Sequence, residues 1–150
     1  MTKHTLIVGV GSPHGDDQAG WLVAEQLAET LDQDDVEVRK ATAPAQLLDW
    51  LDGTDRLIVC DACHGLGRIG QVRRWTWPDR ELADAVWAGT HDLALPAVLQ
   101  LVDRLGRLPQ SMVVWSVEGA ASNTPATISS EVAAALPRLI ADIANEVRSR

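Results

Sequence analysis

The sequence predicts an α/β fold: an open, mostly parallel sheet of five strands with helices on both faces, in three α/β/α layers. Apolar runs of strand length alternate along the chain with segments of helical periodicity. The strand-like runs are apolar at nearly every position, which is typical of parallel strands buried on both faces. The length of 150 residues fits one domain, spanning residues 1–150.

Each element is indicated by its own apolar pattern. His4 to Val10 (HTLIVGV) is the first strand, and a helix is expected from Asp17 to Leu31. Pro137 interrupts the last helical pattern, so that helix should kink or begin there. The other expected strands are Val36–Lys40, Arg56–Asp61, Gly70–Trp77 and Met112–Val117; the other helices are Pro44–Leu51, Leu93–Leu105 and a final one with the apolar stripe Val132, Leu136, Leu139, Ile140, Ile143 and Val147.

Charge and hydropathy exclude several classes of function. The formal net charge is −8, and no cluster of lysine and arginine extends beyond Arg73-Arg74, so nucleic acid is not an expected partner. No apolar run reaches the length that spans a membrane. The N-terminus, MTKHTLIVGVG, has too short an apolar run for an export signal. We expect a cytoplasmic monomer with no membrane insertion.

The segment LIVCDACHG, from Leu57 to Gly65, contains the spacing C-x-x-C-H. Haem attachment would require export, and a thioredoxin-like pair would require a helix after Cys63, where three glycines follow instead. A four-cysteine zinc site is excluded because the chain has two cysteines. The pattern favours Cys60 as a small buried hydrophobic residue, with a thiol oxidoreductase using Cys60 and Cys63 kept as an alternative.

Carboxylates follow two of the predicted strands. In open α/β sheets, ligands bind at the carboxyl ends of the strands; the segments at these ends are Gly11–Asp17, Asp61–His64 and Glu118–Thr124, and the first two contain Asp17 and Asp61. Asp61 follows a buried run, so it is either a ligand or a turn former at the Gly65 loop. Asp16 is expected to be the N-cap of the first helix. Asp17 would lie in the first turn and remain available for a further role.

The glycine-rich loop GVGSPHGDDQAG does not match the known nucleotide motifs. The dinucleotide pattern G-x-G-x-x-G requires glycine where His14 stands, and no lysine of a phosphate-binding loop is present. Ser12 is not in a nucleophile elbow, because Val10 occupies the position of its first glycine. The loop therefore predicts neither a nucleotide site nor a serine nucleophile.

Four segments together resemble the [NiFe]-hydrogenase maturation proteases. They are the G-x-G strand end with an Asp-Asp pair, LIVCDA, GTHDLALPAVLQL and SVEGAASNTPATIS. The resemblance implies an endopeptidase that removes the C-terminal extension of the hydrogenase large-subunit precursor after nickel insertion. It also implies that Asp17, Asp61 and His91 are the catalytic and metal-binding residues, and that nickel arrives in the precursor and is not retained. Nitrogen and oxygen donors of this kind suit nickel.

The sequence departs from the family pattern in the first loop. Ser12 stands where the family has asparagine, the loop is one residue shorter, and the glycine after the acidic pair is displaced to Gly20. His14 and His64 are further histidines beside the expected site. A nickel-binding accessory protein without proteolytic activity is the alternative that shares the fold and the ligands.

Overall fold

The computed structural model describes residues 4–80, 86–87, 95–120 and 127–149, with the backbone alone at residues 86–87. Two 3-10 helices, Gly15–Gln18 and Pro44–Asp49, accompany the regular elements. The strands are β1 (Thr5–Val10), β2 (Val36–Ala41), β3 (Arg56–His64), β4 (Val72–Thr76), β5 (Val86–Trp87) and β6 (Ser111–Glu118); the helices are α1 (Ala19–Thr30), α2 (Leu95–Arg104) and α3 (Ser130–Arg148).

The sheet has the order β2-β1-β3-β6-β4, with β5 added to the end of β3. The first four strands in that order are parallel, and β4 and β5 pair antiparallel to β6 and β3. The predicted mostly parallel sheet is therefore confirmed. The two-residue β5 was not predicted, because so short a strand leaves no periodic pattern.

Two apolar clusters form the core, one on each face of the sheet. Side chains alternate along β3, so Leu57, Val59 and Cys63 enter the cluster with α2, while Ile58 and Cys60 enter the cluster with α1 and α3. This arrangement confirms the three α/β/α layers. None of the helices in the described part of the chain is long and apolar enough to span a membrane.

The last helix differs from the prediction at its start. It begins at Ser130 and passes through Pro137, so it does not begin at that proline. Ser129 is the N-cap, and its hydroxyl oxygen accepts a hydrogen bond from the Val132 amide at 3.3 Å. Val132 and Leu139, on either side of the proline, are both fully buried, so packing of the apolar stripe keeps this segment helical.

Candidate active site

Close packing of glycines brings the start of α1 against the ends of β1 and β3. A β-carbon at Gly20 would overlap the carbonyl of Val10 and lie 2.8 Å from the carbonyl oxygen of Cys60. One at Gly9 would overlap the carbonyl of Gly20. Only residues without a β-carbon permit this approach, which places the 3-10 helix carrying Asp17 beside the end of β3.

Asp61 lies in β3 where the strand approaches its carboxyl end, and it is fully buried. Its Oδ1 accepts a hydrogen bond from the Ala62 amide at 2.8 Å, whereas its Oδ2 is buried with no hydrogen-bond partner among the described residues. Burial raises the pKa of Asp61 well above its usual value; the negative charge of Asp17 adds to this, and the Ala62 amide opposes it. Relative to an exposed aspartate, the fold therefore disfavours the charged form of Asp61.

Asp17 also has a buried carboxylate oxygen without a hydrogen-bond partner among the described residues. It is half-buried, and its Oδ1 is shielded from solvent without a hydrogen-bond partner in the described part of the chain. The close packing of Gly20 on the Cys60 carbonyl places the two aspartates on neighbouring segments, and the charge of Asp17 contributes to the raised pKa of Asp61. Two neighbouring carboxyl groups thus each present one buried, unpaired oxygen, which is unfavourable unless a proton or a cation compensates.

Asp16, by contrast, accepts hydrogen bonds on both of its carboxylate oxygens. Its Oδ2 accepts hydrogen bonds from the Ala120 amide at 2.8 Å and the Ser129 hydroxyl at 3.0 Å, and its Oδ1 accepts from the Ser129 amide at 2.7 Å. The prediction that Asp16 is the N-cap of the first helix is wrong: residues 15–18 form a 3-10 helix, and α1 begins at Ala19. Asp16 instead ties that 3-10 helix to the end of β6 and the start of α3.

Glu118, the first residue of the third strand-end segment expected to bind ligands, is a second engaged carboxylate at this edge of the sheet. It is buried at the end of β6 and accepts hydrogen bonds from the amides of Gly65 at 2.6 Å and Leu66 at 3.1 Å. The Cys63 thiol also contacts it, at 3.8 Å. The sequence signal for a role of Glu118 was its position as a charged residue at the end of an apolar strand. Glu118 holds the loop that follows β3.

The histidines expected near the site have different positions. The Nδ1 atom of His64 lies 3.0 Å from the Gly119 carbonyl oxygen, and a carbonyl can only accept, so this nitrogen carries the proton. His14 is exposed, before the first 3-10 helix. His91 lies outside the described residues. The structure therefore brings together Asp17 and Asp61 from the predicted set of three.

The two cysteines do not form a redox pair. Cys60 and Cys63 are both buried and reduced, and they enter the apolar clusters on opposite faces of the sheet. Residues three apart in a strand are about 10 Å apart, too far for a disulfide. Burial raises the pKa of Cys63 to about 12 and that of Cys60 still further, so neither is a thiolate at neutral pH. The thiol oxidoreductase alternative is therefore wrong.

A family model described as hydrogenase maturation protease, HycI, matches residues 21–146. The chain belongs to this family. The match begins after Asp17 and includes Asp61 and the position of His91. The protein is therefore a hydrogenase maturation endopeptidase, as the resemblance in its sequence implied. No curated protein sequence matches the chain significantly.

Solved structures of maturation proteases share its fold. HybD from E. coli superposes with a TM-score of 0.76 at 20% identity, over 97% of this chain and 93% of that one. HycI from Thermococcus kodakarensis KOD1 gives 0.71 at 23% identity, over 95% and 91%. A hydrogenase 2 maturation peptidase from Thaumarchaeota archaeon SCGC_AB-539-E09 gives 0.71 at 22% identity, over 99% and 100%. At such identities these likenesses establish the fold.

Proposed function

We propose that this endopeptidase removes the C-terminal extension of a [NiFe]-hydrogenase large-subunit precursor after nickel insertion, and that it recognises the inserted nickel through Asp17, Asp61 and His91. The observation that carries the proposal is the pair of unpaired, buried carboxylate oxygens on Asp17 and Asp61. Two carboxylates and an imidazole form an open donor set suited to a divalent first-row metal ion.

The chain direction supports His91 as the third ligand. Parallel strand β6 begins level with the amino end of β3, where Ser111 pairs with Arg56. The helix α2 precedes β6 and packs on the sheet, so its last residue leads to the amino end of β6. Its first residue, Leu95, is therefore directed toward the carboxyl ends of the parallel strands, where Asp61 lies. His91 precedes Leu95 by four residues, and Asp61 shares the face of β3 that packs against α2.

The raised pKa of Asp61 supports nickel as part of the substrate. Metal ligands bind in their deprotonated form, whereas burial of Asp61 shifts its pKa toward the protonated form, so a proton competes with nickel at this carboxylate. That competition weakens nickel binding to the isolated protease. A nickel ion already fixed in the precursor arrives with further ligands and with the binding energy of the protein–protein contact. A precursor without nickel would offer the two carboxylates nothing to bind.

The proposed chemistry uses no covalent intermediate. Both thiols are buried and protonated, and Ser12, whose Oγ accepts a hydrogen bond from the His14 amide at 3.3 Å, is not in a nucleophile elbow. Asp17, Asp61 and His91 would hold the nickel ion of the precursor beside the scissile bond. The bound ion would supply Lewis-acid chemistry there, either at the carbonyl or at an attacking water.

Co-expression with a candidate large-subunit precursor tests the proposal. The intact mass of the precursor is measured with wild-type protease and with Asp17→Ala, Asp61→Ala and His91→Ala. We expect a C-terminal peptide to be lost with the wild type and retained with each variant. Full processing by any one of the three variants would remove that residue from the site, and an untouched precursor in nickel-replete cells would contradict the activity on that partner.

The alternative of a nickel-binding accessory protein makes an opposite prediction for the isolated chain. Calorimetric titration with nickel should show tight stoichiometric binding for an accessory protein, and weak binding for a protease that meets nickel in its substrate. Asp61→Asn provides the control, because it removes one proposed ligand.

A further inference from the structure

Strand β2 has an open edge along the sheet. It is the first strand in the order β2-β1-β3-β6-β4, and no other described strand pairs with its outer side. The Thr5 amide donates to the Asp35 carbonyl at 2.8 Å, and the Gly11 amide donates to the Ala41 carbonyl at 2.9 Å. Because bonded residues alternate along a parallel ladder, Val38 and Lys40 direct their N–H and C=O groups away from β1.

The open edge is continuous with the candidate active site. The carbonyl of Ala41, the last residue of β2, accepts hydrogen bonds from the Gly11 amide and from the Trp21 indole at 2.9 Å. Trp21 packs on Gly11, where a β-carbon would lie 3.3 Å from the indole Cδ1. The Ser12 amide then donates to the Asp17 carbonyl at 3.1 Å. A chain bound along β2 would therefore leave the strand beside the loop that carries Asp17.

The charged side chains at this edge are held against tryptophan rings. Edge strands are commonly protected from pairing by charged side chains, prolines or bulges. Here the register between β1 and β2 is continuous, and β2 contains no proline. The Arg39 guanidinium lies 5.0 Å from the centre of the Trp50 ring, and the Lys40 ammonium lies 5.6 Å from that of Trp21. Both cations also pair with carboxylates of this chain.

These ion pairs fix the two cations further. The Arg39 Nε lies 2.6 Å from Glu37, and the Lys40 Nζ lies 2.9 Å from Glu25 on α1. A side chain held both by a ring and by a carboxylate is less free to cover the neighbouring backbone than a mobile lysine or arginine. The backbone groups of Val38 and Lys40 thus remain accessible for pairing, between two tryptophans that can contact the side chains of an incoming strand.

We propose that the open edge of β2 binds an extended segment of the precursor, adjacent to its scissile bond, as an added strand. This inference rests on the proposed function, because it takes the hydrogenase precursor as the protein bound. Main-chain hydrogen bonds to Val38 and Lys40 give affinity with little demand on sequence, and Trp21 and Trp50 contact alternate side chains. The added strand directs the scissile bond toward Asp17 and Asp61.

Proline substitution tests the main-chain contact. Val38→Pro removes an N–H that faces outward, and proline is tolerated at such positions of edge strands. Val38→Ala keeps the N–H and trims the side chain, so it is the matched control. We expect Val38→Pro to lower kcat/KM for the nickel-loaded precursor about tenfold, the effect of losing one well-made hydrogen bond, and Val38→Ala to remain within about threefold of the wild type.

The opposite edge of the sheet supplies a second control. The Glu118 amide donates to the Gln71 carbonyl, and residues of an antiparallel ladder alternate, so the N–H of Val72 in β4 faces outward. Val72 also packs, like Val38, at the margin of the apolar cluster beneath α1 and α3. Val72→Pro should leave kcat/KM within about threefold of the wild type. An equal loss in Val38→Pro and Val72→Pro would indicate general damage and overturn the assignment to β2.

Amide hydrogen exchange separates this inference from the proposed function. We expect the amides of Val38 and Lys40 to exchange rapidly in the free protein and to become protected when excess nickel-loaded precursor is present. Cleavage without that protection, or full activity of Val38→Pro, would overturn docking on β2 while leaving the protease function intact. Protection without cleavage would support the docking edge and contradict the protease function. Neither cleavage nor protection would contradict both.

Discussion

Among the described residues, four carboxylates lie at the carboxyl edge of the sheet, and they divide into two pairs with opposite surroundings. Asp16 and Glu118 are engaged by backbone amides and neighbouring hydroxyl or thiol groups. Asp17 and Asp61 each retain a buried oxygen with no partner in the described ranges. An unpaired buried oxygen lowers stability, so Asp17 and Asp61 are the candidates for binding a cation, whereas the satisfied carboxylates hold the loops around them.

The adjacent residues Asp16 and Asp17 make this contrast within one 3-10 helix. Asp16 is 7% exposed and ties the first 3-10 helix to α3 through Ser129. The charge of Asp17 contributes to the raised pKa of Asp61, and its Oδ1 has no such hydrogen bond among the described residues. Sequence alone gives both residues the same type and neighbouring positions, so only their hydrogen bonds distinguish the anchor from the candidate ligand.

The largest expected effect is on cleavage when the unsatisfied pair is changed. Asp17→Asn and Asp61→Asn keep the size of the side chain but remove the charge that binds a cation. We expect each to lower kcat/KM for a nickel-loaded precursor by at least about a hundredfold, the scale of losing one preorganised electrostatic contact. Intact-mass kinetics of the precursor measure this effect. Near-normal cleavage by either variant would place that residue with the structural pair.

Changing the satisfied pair should instead reduce stability. Asp16→Asn replaces an oxygen that accepts from a backbone amide with a donor, and we expect the free energy of unfolding to fall by about 2 kcal/mol. Glu118→Gln should lower the free energy of unfolding in the same way, because Glu118 accepts hydrogen bonds from amides of the Gly65 loop. Urea unfolding of Asp16→Asn beside Asp17→Asn checks the comparison. Equal stability of these two neighbouring variants would contradict the division into pairs.

Asp61→Asn should raise the free energy of unfolding, by less than the loss expected for Asp16→Asn. The pKa of Asp61 is raised in the folded protein, so the unfolded state releases this proton at a lower pH than the folded state does. The wild type therefore loses stability as the pH rises above about 3.8 toward the pKa of the folded state. Asparagine has no such proton. The melting temperature of the Asp61→Asn variant should exceed that of the wild type at pH 7, by about 2–4 °C for each kcal/mol gained in the free energy of unfolding.

Thermal unfolding of wild type and Asp61→Asn across pH 4 to 8, a range chosen from the ordinary carboxyl pKa upward, measures this difference. The gap should be smallest at the acid end and grow as the pH rises. A gap that shrinks with rising pH would mean that the charged form of Asp61 is stabilised in the fold, contrary to its unsatisfied oxygen.

The smallest effects on cleavage are expected from Ser12→Ala, Cys60→Ala and Cys63→Ala. None of these side chains is assigned to the reaction, and both thiols are buried and protonated. Each variant should cleave within about threefold of the wild type, since no bond to the reacting atoms is lost. Abolition by any one of them in a folded variant would indicate a covalent mechanism and contradict the proposed chemistry.

Much of the fold follows from local sequence patterns. The continuous apolar runs at β1, β3 and β6 predicted a sheet buried on both faces, and the structure confirms this. The roles of Asp16 and Glu118 could not be predicted, because their partners Ser129 and Gly65 lie 113 and 53 residues away along the chain. Of the two outcomes predicted at Pro137, a kink or a helix start, the start is wrong, because packing on both sides of the proline outweighs its local cost.

The proximity of Asp17 and Asp61 could be predicted, because Asp17 follows β1, Asp61 lies near the carboxyl end of β3, and the ends of parallel strands meet at one edge of a sheet. Their role as metal ligands stays a prediction. The C-x-x-C-H spacing was misleading as a redox signal, because a strand directs Cys60 and Cys63 to opposite faces. The assignment of His91 stays a prediction, since it lies outside the described residues.

Nickel-dependent cleavage is the most direct test of the proposal that Asp17 and Asp61 recognise nickel in the substrate. Purified precursor, with and without inserted nickel, is incubated with wild-type protease and with Asp61→Asn, and the precursor mass is followed. We expect that only the wild type with nickel-loaded precursor releases the C-terminal peptide. Cleavage of nickel-free precursor by the wild type at a comparable rate would contradict the proposal.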